Sequence, residues 1–495
     1  MSDPSTVASL YRLLPSLDKL LQSPDLDALV HGPSRTAAVN AARAALARIR
    51  SEIARGIRDE VSIRNQVSAL PAIISADIHR TSQYSLQRVI NATGVILHTN
   101  LGRAPLGRSA LDRICEVASD YSNLELDLDS GNRSRRDVHA ESLLFRVLAV
   151  KTGGRPGGKD RLGRALVVNN CAAATFLILN SLAEGREVIV SRGELVEIGG
   201  GFRIPEILRK SGAILREVGT TNRTRLADYQ SAISERTALI LRVHQSNFRI
   251  QGFAEKPCLD GLISLGRKSG VPVFEDQGTG LMVRLGSRAP DTESSFFDSY
   301  KKGPDVIAAS GDKLLGGPQC GIIVGKQELL QNIAKNPLTR AFRVCKLTYA
   351  ALEGTLMDYL SGSLESLPIT RMLGLSSTEI LHRCEQLAAS VGGEVLTADV
   401  VPSQSLIGGG TTPGKKLSSF AIAIRHASID ANQLANLLRQ SNPPVIPRIN
   451  KDSVLLDLRT VPPEADAVLA DILRSIDTQA NRNQPASPAY VNGSM

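Results

Sequence analysis

The chain has 495 residues, 42% of them hydrophobic, a formal net charge of +9 at pH 7 and six cysteines. The length exceeds one ordinary core and implies two or three domains, while a positive balance without a long lysine tract favours an anionic partner, nucleic acid among the candidates. Cys115, Cys171, Cys258, Cys320, Cys345 and Cys384 show no C-x-x-C spacing and the histidines form no H-x-x-x-H pair, which argues against a disulfide frame or a metal site. No basic leader or apolar run of bilayer length occurs, so a cytoplasmic protein without a membrane partner is expected.

Residues 1–88 read as a separate helical module. Leu10, Leu13, Leu14, Leu17, Leu20 and Leu21 recur at helical spacing, and Ala37 to Ile53 is an alanine-rich amphipathic helix bearing Arg43, Arg48 and Arg50. With 11 basic and 8 acidic residues, the module suits an RNA backbone or a plain solvated surface, and charge alone does not choose.

From Val89 the composition turns β-prone, and residues 89–349 read as one large domain. A strand and turn end in Arg103, and the loop from Ser130 to Asp137 carries Arg136 ahead of a helix with Leu143, Leu144, Val147 and Leu148. The glycine-rich stretches 153–163 and 409–415 nearly match a phosphate-binding loop, but Asp160 and Lys416 stand where a hydroxyl is needed, so both read as plain loops. Ala165 to Val168 is a strand that delivers Asn169, Asn170, Cys171 and Ala172 to the start of an apolar helix reaching Leu182. Strands and helices then alternate to Val306–Ala309 and Ile322–Val324, which predicts an α/β fold with a mostly parallel sheet covered on both faces. Residues 339–347 are expected to place Arg340 and Arg343 on one helical face at i, i+3. Residues 350–478 form a small α+β domain with strands at Phe420–Ile424, Val445–Ile449 and Val454–Leu458, and the polar tail 479–495 is expected to be disordered.

Two residues carry the chemistry. Lys313 stands in Ser310-Gly311-Asp312-Lys313-Leu314-Leu315-Gly316-Gly317, a polar turn between two strands. A lysine traps an aldehyde when desolvation or nearby positive charge destabilises its ammonium, and the glycines leave room for a planar cofactor. Asp276 ends a buried strand, where a carboxylate faces the crevice in which α/β proteins bind ligands. Pyridoxal phosphate requires such an acid for its pyridinium nitrogen. The helix start at Asn170, Cys171 and Ala172 offers free N–H groups to the cofactor's phosphate. His244, at another strand end, is expected either to face the crevice or to serve in capping or packing.

The stretches Leu13-Leu14-Pro15-Ser16-Leu17-Asp18, Ile90-Asn91-Ala92-Thr93-Gly94, His98 to Arg103, Arg192 to Gly200, Gly219-Thr220-Thr221-Asn222-Arg223-Thr224, His244-Gln245-Ser246-Asn247 and the Lys313 loop closely resemble the bacterial selenocysteine synthases, the L-seryl-tRNA(Sec) selenium transferases, over about residues 10–475. The resemblance implies a fold-type-I pyridoxal phosphate enzyme with Lys313 as the cofactor lysine, Asp276 as its acid, and Ser310 among the cofactor contacts. It further implies that the helical module binds seryl-tRNA(Sec), that Arg103, Arg136, Arg340 and Arg343 grip the anionic group of selenophosphate, and that subunits form a homodecamer, a pentamer of dimers. Forked guanidinium donors match phosphate oxygens. The chain departs from the family pattern at Cys171, where a third asparagine is usual, at Thr279 and at Cys345. A pyridoxal phosphate lyase or desulfurase acting on a free amino acid is the competing expectation. A tRNA-binding protein without chemistry is another, against which the intact Lys313 and Asp276 argue.

Overall fold

The computed structural model describes residues 9–24, 26, 35–56, 59–82, 84–152, 163–198, 201–248, 250, 252–282, 294–391, 393, 395–409, 411 and 415–482. It divides into two compact units, Met1–Arg88 and Val89–Met495. In the first, helices α1 (Leu17–Leu21), α2 (Arg35–Ala54) and α3 (Glu60–Ser82) pack together. Ala38, Ala42, Leu46, Ile49 and Ile53 recur every three or four residues, so α2 buries one stripe against Ile63, Leu70, Ile74 and Ile78 of α3. Arg43, Arg48 and Arg50 lie off that stripe and are exposed.

The second unit holds two large sheets, of seven and five strands, and two small two-stranded ones. Strand β1 (Val95–Leu97) precedes helices α4 (Arg108–Ser119) and α5 (Val138–Thr152). Next come β2 (Arg164–Val168), α6 (Cys171–Ala183), β3 (Glu187–Ser191), β4 (Ile214–Val218), β5 (Thr237–Val243), β6 (Val273–Asp276), β7 (Val306–Ser310) and β8 (Gly321–Gly325). The seven-stranded sheet has the order β2-β8-β7-β6-β5-β3-β4. Every pair in it is parallel except those of β8, which runs antiparallel to β7 and β2. β3, β6, β7 and β8 are buried along their whole length, as expected where helices cover both faces.

The C-terminal part adds α7 (Leu338–Ala341), α8 (Lys346–Ser361), β9 (Leu396–Gly408), β10 (Lys416–His426), β11 (Arg448–Asn450), β12 (Ser453–Asp457) and α9 (Asp466–Arg482). The five-stranded sheet β11-β12-β10-β9-β1 recruits β1 from far upstream, in parallel with the end of β9.

Three expectations change and one strand is added. The border placed at 349/350 falls inside α8, whose Tyr349, Leu352 and Leu356 belong to the same core as β7 and β8. Gly354 lets that helix approach Ala110 of α4, where a Cβ would collide with backbone. Residues 339–347 are not one helix. α7 stops at Ala341, the Asn169 N–H donates to the Phe342 carbonyl (2.9 Å), and Arg343 forms a bridge with Val168. Pairing with the end of sheet-edge strand β2 outweighs the helical spacing. β9 is an additional strand; it contains Pro402, which is tolerated since β1 pairs only with Leu406 and Gly408. Finally, α9 continues through residues 479–482, since extending a formed helix with polar residues costs little. The rest of the expected tail, and the 153–163 loop apart from Gly163, lie outside the described residues.

Candidate active site

β6 ends in Asp276, held between β5 and β7 in the register Val243, Asp276, Ala308. The backbone N–H of His244 donates to the Asp276 carbonyl (3.0 Å). Asp276 is 7% exposed. Its Oδ2 accepts from Thr175 Oγ1 at 2.9 Å and its Oδ1 from Cys171 Sγ at 3.5 Å. Burial pushes its pKa up, while the Thr175 hydrogen bond and the charge of Lys313 oppose that shift.

Lys313 lies on the turn that joins β7 to antiparallel β8. That turn is closed by Gly311 N–H to the Cys320 carbonyl (2.8 Å), Gly317 N–H to the Gly311 carbonyl (2.9 Å) and Leu314 N–H to the Thr279 carbonyl (3.0 Å). Gly280 has φ +70° and its α-carbon faces the Ser310 carbonyl so closely that no Cβ fits. Lys313 is 7% exposed. Burial pushes its pKa down and Arg103 acts in the same direction, whereas Asp276 and Asp312 pull it up. The result is an amine near carboxylates but poor in water, suited to attack a carbonyl and to exchange a proton.

Asn170 is the N-cap of α6, its Oδ1 accepting from the Ala173 N–H at 2.8 Å. The N–H groups of Cys171 and Ala172 have no acceptor within the helix, and they point where its dipole favours an anion. Gly321 of β8 abuts the Asn170 carbonyl. A methyl there collides with that oxygen and with Ala174, so Gly321→Ala is expected to lower stability by about 1–3 kcal/mol and to displace the α6 start; denaturant unfolding checks the first and the affinity for inorganic phosphate the second.

The arginines divide. Arg103, in the left-handed region at φ +64°, donates Nη1 to Asp312 Oδ2 at 2.7 Å, beside the lysine. Ser310 Oγ donates to Asp312 Oδ1 at 3.0 Å, so that hydroxyl serves the loop. Arg136 donates Nε to Glu125 Oε1 (2.6 Å) and Nη1 to the Val344 carbonyl (3.0 Å). Arg343 reaches the same Glu125 oxygen at 3.8 Å, and Arg133 pairs with the other oxygen at 2.8 Å. Arg340 is exposed on α7 and makes no ion pair among the described residues. Asp312, Glu125 and Thr175, which contact the candidates Arg103, Arg136 and Asp276, were not singled out by sequence reasoning; only Thr175 left a signal, its i+4 spacing from Cys171.

A cavity of about 400 Å³ opens at the ends of β3, β5 and β6, lined by Glu194, Thr221, Arg242, His244, Glu275 and Gln277 among others. Glu194 is buried, its Oε1 3.0 Å from Arg242 Nη1 and its Oε2 accepting from the Val243 N–H at 3.0 Å. Burial pushes its pKa up. The stretches that begin at Arg192, Gly219 and His244 thus converge on one cavity, which shares His244 and Gln277 with the surroundings of Asp276. Among the described residues no cluster of His, Cys, Asp and Glu could hold a metal ion, and no helix is long and apolar enough to cross a membrane.

A sheet in this order, with a buried lysine after β7 and an acid closing β6, has the architecture of the fold-type-I pyridoxal phosphate enzymes. The solved structure of D-glucosaminate-6-phosphate ammonia-lyase superposes with a TM-score of 0.54 at 18% identity, covering 82% of this chain and 99% of that one, a likeness of fold. The profile of L-seryl-tRNA selenium transferase matches residues 89–462, and that of the selenocysteine synthase N terminal matches residues 11–50. The L-seryl-tRNA(Sec) selenium transferase of Aquifex aeolicus is 43% identical over 427 residues, 86% of this chain and 90% of its own; that of Geotalea daltonii is 42% identical over 473 residues, 94% and 99%. The chain belongs to the L-seryl-tRNA selenium transferase family.

Proposed function

We propose that this chain converts seryl-tRNA(Sec) to selenocysteinyl-tRNA(Sec) with pyridoxal phosphate on Lys313 and selenophosphate as the selenium donor. The seryl β-oxygen leaves and selenium takes its place on the β-carbon, while the selenium–phosphorus bond breaks and phosphate is released. The observation that carries the reading is a desolvated lysine and a buried aspartate, 37 positions apart in sequence, brought to one strand-end crevice in a chain of this family.

The residues present fit the cofactor. Gly280 and Gly321 allow backbone to pack where any side chain would collide, the α6 start offers N–H groups for a phosphate, and the Asp276 carboxylate has lone pairs beyond the two that Thr175 and Cys171 use. When bound, pyridoxal phosphate supplies an aldehyde for an amine and a ring that takes up the electron pair of the seryl α-carbon. Asp276 would keep the proton on the ring nitrogen, and Lys313 Nζ would take and return the α-proton. Cys171 and Ala172 N–H groups would hold the phosphate, with His244 beside the ring. Arg136 and Arg343, already gathered on Glu125, would receive the donor's anionic group; Arg103 would join them only by exchanging Asp312 for the incoming anion, and exposed Arg340 is free to swing in.

The helical unit 1–88 would bind the tRNA, in the cytoplasm, within a decamer of five dimers. The purified protein is expected to label seryl-tRNA(Sec) with selenium and to leave free serine and cysteine untouched; turnover of either free amino acid without tRNA overturns the reading. Removing residues 1–88, which bury their own core, is expected to weaken tRNA binding by at least ~10²-fold, since most of the backbone contacts would be lost, while the cofactor absorbance persists. Filter binding checks this, and unchanged affinity moves recognition to residues 89–495.

A further inference from the structure

We propose that Thr175, assisted by Cys171 one helical turn earlier, is a positioning residue that clamps the Asp276 carboxylate for the cofactor ring. The proposal rests on the reading of Asp276 as the acid of pyridoxal phosphate.

The two side chains stand at i and i+4 on α6 and therefore share a face. Each reaches a different oxygen of Asp276, Thr175 Oγ1 to Oδ2 at 2.9 Å and Cys171 Sγ to Oδ1 at 3.5 Å. A helical threonine ordinarily turns its hydroxyl back to the carbonyl one turn earlier; this one crosses to the sheet instead. Thr175 is fully buried and Asp276 is 7% exposed, so water is a poor substitute for either partner. A carboxylate that must stay ionised in such a place needs donors, because burial favours its neutral form. The two donors are unequal: a hydroxyl at 2.9 Å is a full hydrogen bond, whereas a thiol is a weak donor. Thr175 therefore does most of the holding. The same helix begins at the N–H groups assigned to the phosphate, so one rigid element sets the acid and the phosphate seat relative to each other.

The test uses full-length protein and titration of pyridoxal phosphate into the cofactor-free form. Thr175→Val keeps shape and removes the hydroxyl, and is expected to weaken cofactor affinity about 10- to 100-fold, the range for a hydrogen bond to a charged group, with an altered absorbance spectrum of the bound cofactor. Thr175→Ser restores both, and Cys171→Ala weakens affinity only a few-fold. Unchanged affinity and spectrum in Thr175→Val, or failure of Ser to rescue, overturns the clamp. Should Val prevent folding, Thr175→Ala against Thr175→Ser decides the same question. A wild-type protein that gives no pyridoxyl adduct at Lys313 after borohydride overturns the underlying reading as well, so the two failures are told apart.

Discussion

Lys313→Ala is expected to leave a folded protein whose selenium transfer falls by at least ~10³-fold, at the scale of losing a positioned acid–base group. Borohydride reduction, digestion and mass spectrometry should find the pyridoxyl group on the peptide of residue 313 in the wild type and on no peptide in the variant. Folding should survive, because alanine removes an amine whose pKa burial has already pushed down, and with it a desolvation cost. A melting curve at or above that of the wild type separates lost chemistry from lost structure. A variant that keeps its adduct, or its turnover, would show that the amine acts elsewhere.

The second large effect is at the other end of the crevice. Asp276→Asn preserves size but cannot hold a ring proton through a charge, and its amide brings a donor to a place where Thr175 and Cys171 already donate. Turnover at saturating cofactor should fall about 10²–10³-fold, the scale of removing one preorganised electrostatic group. The adduct at Lys313 should still form, since the lysine and the α6 start are intact. Steady-state rates and the borohydride experiment together decide: activity within a few-fold of wild type would remove Asp276 from the chemistry.

Much of the fold was legible because the central strands are unbroken apolar runs, such as Val306-Ile307-Ala308-Ala309, and periodicity exposes them directly. Lys313 and Asp276 stood out for a related reason, each being a charged residue close behind a buried apolar run. The partners of charges did not. That Asp312 takes Arg103, and that Glu125 gathers Arg133, Arg136 and Arg343, depends on loops that meet only in the folded chain. The helical face assigned to Arg340 and Arg343 failed likewise, because an open strand end competed for the same backbone. β9 stayed hidden behind Pro402 and a half-exposed alternation, which reads as loop when its partner strands are unknown.

The bridge between Arg343 and Val168 has one more effect. β2 is the outermost strand of the seven-stranded sheet, and unsatisfied peptide groups along such a rim invite other chains to add themselves. With Asn169 N–H donating to the Phe342 carbonyl and Arg343 bridging Val168, the far end of that rim is already paired within the chain, and the Phe342 ring packs inward against Phe176 of α6 and not over the open edge.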